Sequence, residues 1–255
     1  MVKNGQNKTE PIDRNPIDTF TGKFWFLSNF YPSPVKLGKI TYPTAEHAYQ
    51  AQKAKTFQER RVVSKLTSPA AARRYGRYQL KLRANWDEIK LSRMTIVLRA
   101  KFDPTVNPKL CDWLIKTGEA ELIEGNYWHD TYWGVCKDKG FNLLGKLLEE
   151  LRDALANNWP IVVNAYQERY DMQITRNTIW GNPFPINNQT SRVQSLIKCK
   201  RYFSKLVEND KQFRKELKAL AGKRLGCVCF PQDCHGDIIV DLYKELIRRE
   251  ESCQK

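Results

Sequence analysis

Glu46, Gln50 and Lys53 fall at i, i+4 and i+7 of one continuous segment, Tyr42 to Ala54, so a helix puts them on a single face. A carboxylate and an amine about 10 Å apart along a helix axis, at 1.5 Å per residue, are the ingredients of proton transfer and amine nucleophilicity. Two more carboxylates, Glu124 and Asp130, stand in a stretch crowded with aromatic residues and glycine. Thr44 is placed to cap the first turn of the helix. Ala45, Ala48, Ala51 and Ala54 let that helix pack closely while its polar stripe points into a cleft. The competing reading is a solvated helix carrying a surface ion pair.

The elements that must hold these groups follow from the rest of the chain. With 255 residues, 41% of them hydrophobic and 11% aromatic, there is room for one large or two modest domains with real cores. No apolar run is long enough to span a membrane, and the segment from Met1 to Ile17 is too polar for a signal peptide. Seven cysteines without framework spacing suggest a reducing, cytoplasmic setting. Between Arg60 and Lys101 stand 12 basic residues against only Asp87 and Glu88, in a chain of net charge +15. This basic 60–101 region reads either as attraction to phosphate, on nucleic acid or a phosphorylated small molecule, or as a solubilising face.

Residues 1–18 read as a loose arm and Lys23 to Tyr31 as a short buried strand, followed by a hairpin around Gly38 that delivers the chain to the opening helix. Ser68-Pro69 starts another helix with Arg73, Arg74 and Arg77 along one side. Asn85 caps a third, with Leu91, Thr95, Leu98 and Phe102 expected inward, and Leu110, Trp113 and Leu114 form the core stripe of a fourth. A leucine-rich helix ends at Asn157-Asn158, and Trp159-Pro160 marks a domain boundary. Beyond it, strands at Ile161 to Ala165 and Leu225 to Cys229 alternate with helices, an α/β pattern over residues 161–248.

Several of these segments together are similar to the NADAR (YbiA-like) family. The motifs are Phe26-Leu27-Ser28-Asn29-Phe30-Tyr31, the Tyr42 to Ala54 helix, Asn85-Trp86-Asp87, Met94 with Lys101-Phe102, Thr117-Gly118 and Leu122-Ile123-Glu124. Asp130 with Trp133-Gly134 and the run from Gly140 to Lys146 complete the series, in the family's order over residues 19–156. The resemblance implies an α+β fold, mainly helical in this domain, and an N-glycosidase activity. Implied substrates are ADP-ribose attached to guanine in nucleic acid, or ribosylamino-pyrimidine phosphates of riboflavin synthesis. Cleaving a C–N bond at ribose C1′ passes through an oxocarbenium-like state that calls for a carboxylate and a proton donor to the leaving nitrogen. Glu46, Glu124 and Asp130 are the candidate carboxylates. Lys53 offers a second route, a Schiff base with ring-opened ribose. Trp86 and Trp133 are candidates to sandwich a flat base, against the reading of both as core residues. Asn29 suits ribose hydroxyls or a turn cap. Gly134, Asn142, Gly145 and Lys146 are candidate binding residues, the last three as a phosphate cradle at a helix N-terminus. His129 is either a catalytic group or a polar neighbour of Asp130. Tyr127 and Trp128 make a bulkier approach to the base pocket than the family pattern.

A non-catalytic ADP-ribose or nucleic-acid binding module is the rival from another class. No cofactor is required by the chemistry. The second domain resembles a small uncharacterised family through Trp180-Gly181-Asn182-Pro183-Phe184, Gly222 to Cys227 and Cys234-His235-Gly236-Asp237. Cys227, Cys229, Cys234 and His235 are a legitimate zinc set, although their spacing is not that of a standard finger. The alternatives are a reactive Cys234 at a helix N-terminus or plain structural cysteines.

Overall fold

In the computed structural model, which describes residues 15–229 and 232–253, the buried residues fall into two clusters. One runs from Ile17 to Leu151 and the other from Val162 to Leu246. The first is built from a 3-10 helix (Gly22–Leu27), a hairpin of β1 (Pro32–Leu37) and β2 (Ile40–Thr44), and six helices. These are α1 (Ala45–Gln52), α2 (Phe57–Ser64), α3 (Pro69–Tyr78), α4 (Trp86–Lys101), α5 (Pro108–Ile115) and α6 (Leu143–Ala156). The second contains β3 (Ile161–Asn164), β4 (Met172–Gln173), α7 (Arg192–Asn209), α8 (Lys211–Lys218), β5 (Arg224–Cys227) and α9 (His235–Cys253). The fold is α+β.

The hairpin is antiparallel, with Val35 opposite Tyr42 and Leu37 opposite Ile40. Ile40, Tyr42 and Thr44 point inward while Thr41 and Pro43 face solvent, the two-residue alternation of a half-buried strand. Thr44 ends β2 and at once caps α1, its hydroxyl accepting from His47 N at 3.3 Å. A single residue thus couples the strand's burial to the helix that carries Glu46. Ser68 caps α3 in the same way, with proline at the first helical position.

α4 lies against α1, α6 and β1. Its C-terminal half is therefore buried on nearly every side, through Met94, Ile96, Val97, Leu98, Ala100 and Lys101. The expected one-sided stripe fails here: Leu91 is 38% exposed whereas Val97 is wholly buried. Asn85 makes no side-chain cap hydrogen bond. Trp113 also departs from the expected core stripe of α5; it is 41% exposed and packs edge-on against Phe26. The aromatic run expected as a strand is the 3-10 helix. It has no strand partner, and its Phe26 and Leu27 are buried directly. Of the expected loose arm, residues 1–14 lie outside the described residues. Ile17 is buried and hydrogen-bonded on both sides, to Glu121 O and from Ile123 N at 2.8 Å each, so the arm does not extend to residue 18.

In the second cluster β3, β5 and β4 form a parallel sheet with β5 in the middle, Val162 opposite Leu225 and Met172 opposite Leu225. β5 ends at Cys227, two residues earlier than the expected strand. Charged groups tie the two clusters together. Arg99 of α4 donates to Val162 O, and Arg224 of β5 stands 3.6 Å from Asp103 and 3.4 Å from Glu168.

Candidate active site

A cleft of about 770 Å³ opens in the first cluster, with Glu46, Gln50, Lys53, Glu124 and Asp130 on its wall. α1 supplies the first three. Its N-terminus is pinned to the preceding loop by Glu46 N donating to Asn29 O at 2.8 Å. Gln50 Nε2 donates to Glu46 Oε1 at 2.8 Å, which orients the carboxylate. Gly76 of α3 allows this arrangement, because a Cβ there would sit 2.0 Å from Gln50 Oε1. Burial raises the pKa of Glu46, with Gln50 and Arg73 opposing the shift. Lys53 caps the far end of α1, its Nζ 5.7 Å from the Tyr49 ring centre and 5.8 Å from that of Trp86. Burial lowers its pKa and Glu46 partly restores it.

The opposite wall is the 122–135 segment. Burial and the charge on Asp130 push Glu124 up to about 7, against the pull of Lys101. Asp130 is anchored through one oxygen, Oδ1, which accepts from Tyr132 N at 3.1 Å and Trp133 N at 2.9 Å. Lys101, noticed in the sequence only as part of a motif and a basic run, is fully buried beneath the site. Its Nζ donates to Ser28 O at 2.7 Å and Leu27 O at 3.2 Å, and burial lowers its pKa to about 7. Its spacing was a usable signal, since Met94, Val97, Leu98 and Lys101 share one face of α4 and only the last is charged.

Three buried polar atoms of cleft-lining residues have no hydrogen-bond partner among the described residues: Asn29 Oδ1, Gln50 Oε1 and Glu124 Oε2. Proteins seldom leave such groups unpaired, because each costs about 1–3 kcal/mol. They belong to residues of three separate segments that line the cleft, but the oxygens themselves are closed off from solvent, and Gln50 Oε1 packs over Gly76.

Other expected site residues serve the site from behind. Asn142, in the left-handed region at φ 51°, accepts from Glu124 N at 3.1 Å and donates to Leu122 O at 2.8 Å. A Cβ on Gly145 would lie 1.8 Å from Leu122 O, and one on Gly134 2.1 Å from Glu124 O. The N-terminus of α6 therefore clamps the segment that carries Glu124, and its Lys146 is exposed away from the cleft. This corrects the expected phosphate cradle, because the positions that would face a phosphate are filled by protein oxygens. Trp86 and Trp133 both line the cleft, as a buried and a half-buried wall rather than as two open faces. Trp86 is only 7% exposed, and Tyr49 packs against both rings, 5.4 Å from Trp86 and 5.5 Å from Trp133. The exposed aromatics at the cleft are instead Trp25, Tyr127 and Trp128, the last two in edge contact at 5.1 Å. His129 is exposed, does not line the cleft and neighbours Cys136 Sγ at 3.9 Å. Of the basic window, Arg73, Arg77 and Lys90 reach the cleft and Arg61, Lys65, Arg74 and Lys81 are exposed. Lys101 is internal, and Arg99 is half-buried against the second cluster.

No helix among the described residues is long and apolar enough to cross a membrane. Residues 18–156 match the NADAR domain model, and residues 163–245 match a domain of unknown function, DUF4326. The chain is 41% identical over 132 residues to N-glycosidase YbiA of Shigella flexneri serotype 5b, covering 51% of this chain and 81% of that protein. It is 35% identical over 137 residues to a protein named riboflavin biosynthesis protein from Vibrio vulnificus, covering 53% of this chain and 36% of the other. The solved NMR structure of the E. coli protein YbiA superposes with a TM-score of 0.52 at 36% identity, covering 59% of this chain and 90% of that one.

Proposed function

From the fact that this chain belongs to the NADAR family, with relatives named N-glycosidase, we propose that its cleft hydrolyses the bond between a ribose C1′ and a base nitrogen. We further propose ADP-ribose on a guanine base of nucleic acid as the substrate and the cytoplasm as the setting. The observation that carries the reading is the convergence of three carboxylates, Glu46, Glu124 and Asp130, with Lys53 and Arg73 on the wall of one cleft. A ribose offers hydroxyl donors to carboxylates, and a developing oxocarbenium ion is steadied by the negative charge that surrounds it.

In this reading Glu124, held near 7 by burial and by Asp130, gives its proton to the leaving nitrogen. Asp130, its Oδ1 fixed by two amides, steadies the sugar cation, and Glu46, oriented by Gln50, receives the proton of the attacking water. Arg73 and Arg77 on the cleft wall offer positive charge to a diphosphate, and Tyr127 and Trp128 offer exposed rings to a base. The exposed Arg61, Lys65, Arg74 and Lys81 extend the same sign of charge away from the cleft. That extension favours nucleic acid over a free ribosylamino-pyrimidine phosphate, which needs no contacts at such range. A second reading rests on Lys53: burial lowers its pKa, which favours the neutral amine a Schiff base with ring-opened ribose requires.

The deciding experiment compares binding and turnover of ADP-ribosylated DNA by wild type, Glu124→Gln and Lys53→Met. Carboxylate catalysis predicts that Glu124→Gln binds but barely turns over, while borohydride traps no covalent adduct in wild type. Adduct trapping lost in Lys53→Met would favour the lysine route. Wild type that binds and never releases ADP-ribose would leave a binding module.

A further inference from the structure

The connection from β5 to α9 gathers ligand atoms that the glycosidase reading does not use. Cys227 ends the middle strand of the parallel sheet, and Cys234 and His235 stand at the start of α9. All three are buried, at 1%, 3% and 6% exposure. The two sulfurs are 2.9 Å apart, and His235 Nδ1 is 3.9 Å from Cys234 Sγ. One ligand atom from each residue falls within 4.8 Å of the other two. A tetrahedral zinc ion, with bonds of about 2.3 Å to sulfur and about 2.0 Å to nitrogen, spaces its donors by roughly 3.5–3.8 Å. The histidine nitrogen already stands at that spacing from Cys234 Sγ, and the two sulfurs, at 2.9 Å, would open by about 0.9 Å to admit the ion.

Two features of the surroundings favour a metal over three neutral side chains packed together. First, His235 Nε2 lies 2.7 Å from Ile174 O. A carbonyl can only accept, so Nε2 carries the proton and Nδ1 presents a lone pair toward the sulfurs. Second, each buried sulfur accepts from a backbone amide two residues on: Cys227 Sγ from Cys229 N at 3.4 Å, and Cys234 Sγ from Gly236 N at 3.3 Å. Amides aimed at sulfur stabilise thiolate, the form that binds metal. Cys229, half-buried and two residues beyond Cys227, lies outside this set of mutually close ligand atoms and can join it by a side-chain rotation.

We propose that Cys227, Cys234 and His235, with Cys229 as the fourth ligand, bind one zinc ion that fastens the end of β5 to the start of α9. Three thiolates and an imidazole satisfy a borderline-soft divalent cation and leave no position for substrate, so the ion is structural. Adjacent Cys234 and His235 serve one ion because the turn into α9 directs both side chains inward.

The test uses the full chain, purified under reducing conditions without chelator. Elemental analysis should find about one zinc per chain, lost in Cys227→Ser and Cys234→Ser. Replacement by cobalt(II) should give thiolate charge-transfer and tetrahedral ligand-field bands. His235→Cys, which substitutes one ligand for another, should keep the metal with a shifted cobalt spectrum, so the proposal stays testable even where a serine variant fails to fold. Wild type without zinc and without a cobalt spectrum would overturn it. So would zinc retained undiminished in folded Cys227→Ser, or a Cys227–Cys234 disulfide found in metal-free chain by mass spectrometry.

Discussion

The cleft of the first cluster and the cysteine–histidine knot of the second are built on opposite plans. The cleft draws its charged groups from segments far apart in the chain, Glu46 and Lys53 at one side and Glu124 and Asp130 at the other, around an open volume of about 770 Å³. The knot draws its atoms from residues 227–235 and turns them toward one another, with carbonyl and amide partners around them. Charged groups around a roomy cavity suit a visiting ligand, whereas a closed set of mutually facing ligand atoms suits a resident one. The contrast separates a site that does chemistry from one that holds structure, and each can be disturbed without the other.

The largest separation is expected from Glu124→Gln, which keeps the shape and removes the proton. Turnover should fall by about 10²–10⁴-fold, the usual worth of a general acid, with the metal content of the second cluster unchanged in elemental analysis. A parallel loss of zinc would break the comparison. Gly76→Ala should come next. The added methyl collides with Gln50 Oε1, and displacing Gln50 loosens Glu46, for a loss of about 10- to 100-fold in kcat measurable by steady-state kinetics. Removing zinc with a chelator should act the other way, lowering the melting temperature by several degrees while kcat on a small ADP-ribosylated substrate stays unchanged.

The pH dependence sharpens the same contrast. With Glu124 raised to about 7 from 4.5, activity that needs its proton should decline as pH rises through 7. The folded state keeps that proton where the unfolded chain has already lost it, so stability also declines as pH rises from 4.5 to 7. Glu124→Gln should flatten that slope in denaturation curves. Lys101→Met, which removes the charge pulling Glu124 down, should move the alkaline limb of the rate profile upward. The smallest effect is expected from Trp128→Ala at the rim, a rise of a few fold in KM with kcat retained, since an exposed stacking contact is worth only about 0.5–1.5 kcal/mol.

Much of this was legible in the chain alone because the information was local. The Thr44 cap, the Glu46, Gln50 and Lys53 stripe, the hairpin around Gly38 and the start of α3 at Ser68-Pro69 depend on residues within a turn or two of each other. Backbone geometry fixes such relations. Tertiary structure alone decided which side chains are buried and what faces them. Lys101 looked like one more member of a basic window and lies beneath the carboxylates. Asn142 and Gly145 looked like a phosphate cradle and clamp the segment carrying Glu124 instead. Trp86 looked like half of an open sandwich and is walled in by Tyr49. Burial and pKa are properties of contacts made across the chain, and one-dimensional periodicity carries no record of them.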